Sequence, residues 1–138
     1  MSAPSTQFLA RRLAIAVFWI AVAVTFVCAV VPAERLHLGD RDKVEHVLAF
    51  FSLTVLGTLA YPRRALATTG MKLLAFGVMI EIVQSLPLIS READLWDLFA
   101  DGMAILGAIA VLAATGARFK FLRMLRPTPD FVHAVHGR

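Results

Sequence analysis

Charged residues are scarce in this chain, at 17% of 138 positions against roughly a quarter in an ordinary water-soluble domain. Too little charge is present to clothe a soluble fold of usual composition. Cysteine is nearly missing as well. Cys28 stands alone in an apolar run, which excludes an intramolecular disulfide framework and a cysteine-built zinc cluster. No Gly/Ser-rich linker, low-complexity tract or internal repeat interrupts the chain, so a single domain over residues 1–138 is expected. Basic residues outnumber acidic ones by 14 to 10, yet they lie in the gaps between apolar runs. A nucleic-acid binder gathers Lys and Arg on one solvated face, so nucleic acid is not an expected partner.

What the chain does have is apolar length. Hydrophobic residues make up 59% of it and the mean hydropathy is +0.73. A helix needs about 20 mostly apolar residues to cross the hydrocarbon core. Leu13 to Val31 meets that requirement without a charge and ends at Pro32. Arg11-Arg12 ahead of this run also fits a secretory signal with a cleavage point before Glu34. The length of the run and the further spans behind it favour a retained helix. A second span is expected over 42–61, a third over 71–89 with Glu81 and Gln84 near its middle, and a fourth over 95–117. The expected fold is therefore an all-α, polytopic membrane protein of four transmembrane helices with a basic C-terminal tail, 118–138.

Charge asymmetry orients the spans. With a cytoplasmic N-terminus, that side holds Arg11, Arg12, Arg63, Arg64, Lys72, Arg118, Lys120, Arg123, Arg126 and Arg138, ten of the 14 basic residues. Cytoplasmic loops carry such an excess, so both termini are expected on the cytoplasmic side of an inner membrane. Nine of the ten acidic residues fall in the outer loops or the spans. The segment from Arg118 to Arg126 alternates basic and apolar residues, which suits either a surface-lying helix on membrane lipids or a helix end that snorkels.

Ionisable groups inside spans are costly, and they usually face a bundle interior or cavity where they serve function. Asp94, Asp97, Asp101, Ala104 and Ala108 recur at helical spacing and share one face of the fourth span. Gly77, Glu81, Gln84 and Leu88 make a similar stripe on the third, and Asp42, His46 and Ala49 on the second, with Glu45 beside them. The three stripes meet at the outward end of the bundle. Asp97, Asp101, Glu81 and His46 are the candidate catalytic residues, able to supply an acid and a base or to ligate a divalent cation. Asp42, Lys43, Gln84, Arg91 and Asp94 are candidate ligand-binding residues. Simpler roles stand beside these. Asp42 and Asp94 suit helix caps, His46 suits a hydrogen-bonded packing position, and Glu81 and Gln84 suit polar ties between helices.

Asp42-Lys43-x-x-His46, Glu81-x-x-Gln84 and Arg91-x-x-Asp94-x-x-Asp97, in that order, resemble the VanZ-like family of small bacterial membrane proteins over about residues 40 to 110. The resemblance implies an action on the cell envelope. The family pattern departs at Asp101, where Asn is usual, and at Ala104 and Ala108, where glycines are usual. Three readings follow. The chain binds or modifies a cell-envelope or lipid-linked ligand in the outward pocket, or it is an accessory subunit of a larger membrane protein complex, one in which His46 could ligate a pigment's magnesium. The third is proton or small-cation transport, which leans on Glu81 at mid-depth.

Overall fold

The structure is a computed structural model that describes residues 6–31, 42–87, 89 and 94–124, with backbone alone at 6, 7, 42, 118, 122 and 124. Among the described residues five helices occur in order: α1 Thr6–Val30, α2 Asp42–Ala60, α3 Leu66–Gln84, α4 Leu95–Thr115 and α5 Ala117–Met124. The fold is all-helical among the described residues. The first four helices are each long and apolar enough to cross a membrane.

Burial runs opposite to that of a water-soluble bundle. Leu13, Ile20, Leu48, Ile82 and Leu106 are each at least 60% exposed, whereas His46, Glu81, Asp97 and Asp101 are buried. In water an apolar surface this continuous would drive association. In lipid it is the expected exterior, and the ionisable groups turn inward. The chain is therefore a multi-pass membrane protein.

Local chemistry sets the helix limits. Tyr61 to Arg64 forms the turn between α2 and α3, where Pro62 supplies no N–H to extend α2. Helix α3 lies five residues earlier than apolar content alone places it. Thr68, Thr69 and Gly70 lower the hydropathy of its first turns, but their backbone continues the helix. At the other end the Ser85 hydroxyl donates to the Ile82 carbonyl at 2.7 Å, and Pro87 disfavours a helical residue before it. Glu81 and Gln84 consequently sit in the last turn of α3 rather than near the middle of a span. Gly116, at φ 59°, stops α4 in the left-handed conformation that glycine adopts at least cost. The short helix α5 follows and packs on α2 and α4.

Helices α2 and α4 form the most extensive contact in the bundle, with α3 against α4 and α1 against α2 and α3. Phe50, Leu53, Ile80, Ile105 and Ala104 build the core between them. α1 has no polar stripe and joins from one side. It contributes Phe18, whose ring edge would lie 3.0 Å from a Cβ at Gly57, so the missing side chain there lets α1 and α2 close together.

Candidate functional site

The polar end is the end where α2 begins, α3 finishes and α4 begins. A backbone rises about 1.5 Å per residue in a helix. His46, four residues into α2, and Asp101, six residues into α4, therefore reach similar depth, while Glu81 returns to it from α3. Among the described residues, His46, Glu81, Asp94, Asp97 and Asp101 of the three stripes come together here.

His46 and Asp101 form its centre. His46 Nδ1 lies 2.9 Å from Asp101 Oδ1, both side chains being buried. Its Nε2 is turned towards Asp97, 3.9 Å from Oδ2. The imidazole lies parallel to the Phe50 ring, at 5° and 6.3 Å between centroids, and Phe50 is wholly buried. Phe50 is thus the floor of the site. Gly77 completes the wall, because a Cβ there would meet Asp101 Oδ2 at 2.7 Å. The carboxylate occupies space that any other residue at position 77 would take.

A second group of contacts closes the rim. Lys43 Nζ donates to Asp94 Oδ2 at 2.8 Å and lies 3.5 Å from Asp97 Oδ1. Asp94 also caps α4, its Oδ1 accepting from the Trp96 backbone N–H at 2.9 Å. The Lys43 hydrogen bond first, and the Trp96 N–H second, hold the Asp94 carboxyl below the usual carboxylate range. The backbone N–H of Asp94 donates in turn to Glu81 Oε2 at 2.9 Å, tying the end of α3 to the start of α4. Asp94 therefore caps α4 and at the same time pairs with Lys43 at the rim.

Gln84 does something different. Its Nε2 donates to the Ala29 carbonyl of α1 at 3.0 Å, so it anchors the peripheral helix rather than facing the His46 centre through that atom. The acceptor is a backbone atom, which no side-chain pattern announces. Of the remaining expected residues, the Asp42 side chain and Arg91 lie outside the described residues. Glu45 is half-buried and lines, with His46, Ala49, Phe50, Ile80 and residues of α1, a cavity of about 240 Å³.

Two features give the expected acidic pocket its detail. One is this cavity, apolar along Val24, Cys28 and Ala29 and polar at His46 and Glu45. The other is an excess of acceptors. Glu81 Oε1, Gln84 Oε1 and Asp101 Oδ2 are buried without a hydrogen-bond partner among the described residues. Such groups are few in folded proteins and need a reason.

Compared with family models, curated proteins and solved structures, the chain finds no match. Likeness to the VanZ-like family rests on its three short motifs alone.

Proposed function

We propose that this is a VanZ-like protein of the bacterial inner membrane whose polar end faces away from the cytoplasm and there binds, and acts on, a cell-envelope or lipid-linked ligand. The orientation follows from the ten basic residues assigned to the opposite side. The excess of buried acceptors carries the reading. Side chains that only tie helices together find partners within the bundle, whereas Glu81 Oε1 and Asp101 Oδ2 are left over at the point where three helices converge. The cavity beside His46 supports an amphiphile, with an apolar chain along α1 and a head group at the polar cluster. His46, Asp97, Asp101 and Glu81 then form the polar surface that receives the head group, while Lys43 and Asp94 fix the rim.

Mild-detergent purification from native membranes, followed by lipid mass spectrometry, tests this. A head-group-bearing lipid should accompany the wild-type chain and be lost from an Asp97→Asn, Asp101→Asn double variant that still inserts. Equal lipid on both proteins would sink the proposal. Recovery of a larger protein complex that is indifferent to the double substitution would favour the accessory-subunit reading instead.

A further inference from the structure

We infer that His46, Glu81 and Asp97 form a divalent-cation site of the zinc type, with Asp101 orienting the imidazole. The inference rests on the reading of the polar end as a ligand pocket and names what gives that pocket its selectivity.

One ligand atom from each of the three buried residues lies within 4.8 Å of the others. Ligands about 2.1 Å from a tetrahedral zinc ion stand roughly 3.4 Å apart, so side-chain rotations that move these atoms by about 1 Å close the set. The neighbouring contacts have the form such sites require. A metal-bound imidazole commonly gives its second nitrogen to a carboxylate, which fixes tautomer and ring orientation. Asp101 Oδ1 stands in that position, 2.9 Å from Nδ1, and Nε2 is the nitrogen directed at Asp97. The Phe50 ring beneath holds the imidazole plane.

Glu81 supplies an independent observation. The side chain is 8% exposed. Its Oε2 is held by the Asp94 N–H, and its Oε1 is buried with no partner among the described residues. One oxygen positions the carboxylate and the other is left for a ligand to take. Charge points the same way. Glu81, Asp94, Asp97 and Asp101 face a single cation, Lys43, among the described residues. With His46 neutral and all four carboxylates ionised, three negative charges are in excess among the described residues, an excess that burial relieves either by a proton or by a counter-ion. A divalent ion offsets two of them.

Mixed imidazole and carboxylate donors suit zinc better than magnesium or calcium, which favour all-oxygen shells. Three protein ligands leave the fourth position open. The class of ligand follows from that position: an oxygen-donor head group, phosphoryl or carbonyl, which four bare carboxylates would repel or ignore.

The test uses the full chain in mild detergent, stripped with a chelator and titrated with zinc or cobalt(II) alone. About one zinc per chain should bind, and cobalt should give the visible bands of a tetrahedral site. Glu81→Gln, Asp97→Asn and His46→Ala should each weaken binding at least about 100-fold, and Asp101→Asn by about 10-fold to 100-fold with the cobalt spectrum retained. Helix content by circular dichroism should be unchanged. A folded wild-type chain that takes up no zinc overturns the site without any variant, and so does zinc binding indifferent to all four substitutions. The two proposals fail separately. A lipid ligand lost in the Asp97→Asn, Asp101→Asn protein but insensitive to chelation removes the cation site alone. Stoichiometric zinc with no lipid ligand removes the envelope-ligand reading and leaves the cation site standing.

Discussion

The two ends of the bundle use polar residues differently. At the far end, where α2 finishes and α3 begins, Trp19 Nε1 donates to the Tyr61 hydroxyl at 2.9 Å and Arg64 lies over the Tyr61 ring at 4.5 Å. At the near end, carboxylates and an imidazole are buried among apolar side chains, with acceptors in excess of donors. The first arrangement anchors helices and leaves one buried side-chain atom unpartnered among the described residues, Thr58 Oγ1, against three acceptors at the near end. The second is incomplete without something that the described residues do not supply. Polar content alone does not separate the two; the balance of donors and acceptors does.

Several substitutions would break or sharpen that contrast. Phe50→Ala should have the largest effect on stability, about 3 kcal/mol, because Phe50 is fully buried and carries the imidazole; unfolding in mixed micelles would measure it. A loss below about 1 kcal/mol would mean that the floor collapses easily. Gly77→Ala should cost about 1–3 kcal/mol by overpacking against Asp101. In a double-mutant cycle Asp101→Ala should recover most of that loss, since the two sites share one volume. Additive losses would show that the glycine acts on something else. Gln84→Leu should cost about 0.6 kcal/mol, a typical value for a hydrogen bond between membrane helices, and should loosen α1 without altering the His46 centre, a combination that crosslinking between α1 and α3 can read. Tyr61→Phe should cost less again and leave ligand and metal binding untouched. A change in either would mean that the two ends are coupled.

The smallest effect concerns the exposed rim. Asp94 has a lowered pKa in the folded chain, so its contribution to stability is present above the usual carboxylate range and is lost as pH falls through the lowered value. Asp94→Asn should flatten that acid limb slightly, and added salt should shrink the difference because the Lys43 pair is exposed. An acid limb identical in both proteins would show that the rim pair is inert.

Much of this was legible in the sequence. Hydropathy identified four helices, and the spacing of Asp94, Asp97, Asp101, Ala104 and Ala108 put the acids and the small residues on one face. The buried positions Asp97, Asp101, Ala104 and Ala108 follow that face. Gly77, Glu81 and Gln84 are likewise buried together on α3. The limits of α3 were not legible, because apolar content cannot tell a polar helical turn such as Thr68-Thr69-Gly70 from a loop. That shift brings Glu81 to the end of its helix and removes the mid-depth carboxylate on which a transport path leaned. The Gln84 bond to a carbonyl of α1 and the pairing of Trp19 with Tyr61 were hidden for another reason. Both depend on how far one helix slides along another, which periodicity does not encode.

The placement of the ionisable groups also bears on how the chain is made. None of the four buried ones lies at the midpoint of its helix: His46 is near the start of α2, Glu81 in the last turn of α3, and Asp97 and Asp101 in the first two turns of α4. Each helix can therefore enter the bilayer singly with its charge close to a water interface, where the cost is lower than at the centre. Glu81 nevertheless meets its backbone donor at Asp94, and His46 its carboxylate at Asp101, only after α4 has arrived. A chain halted after α3 would thus insert but stay unlocked, so completion of the last span is the moment at which a passively inserted polypeptide becomes a finished protein.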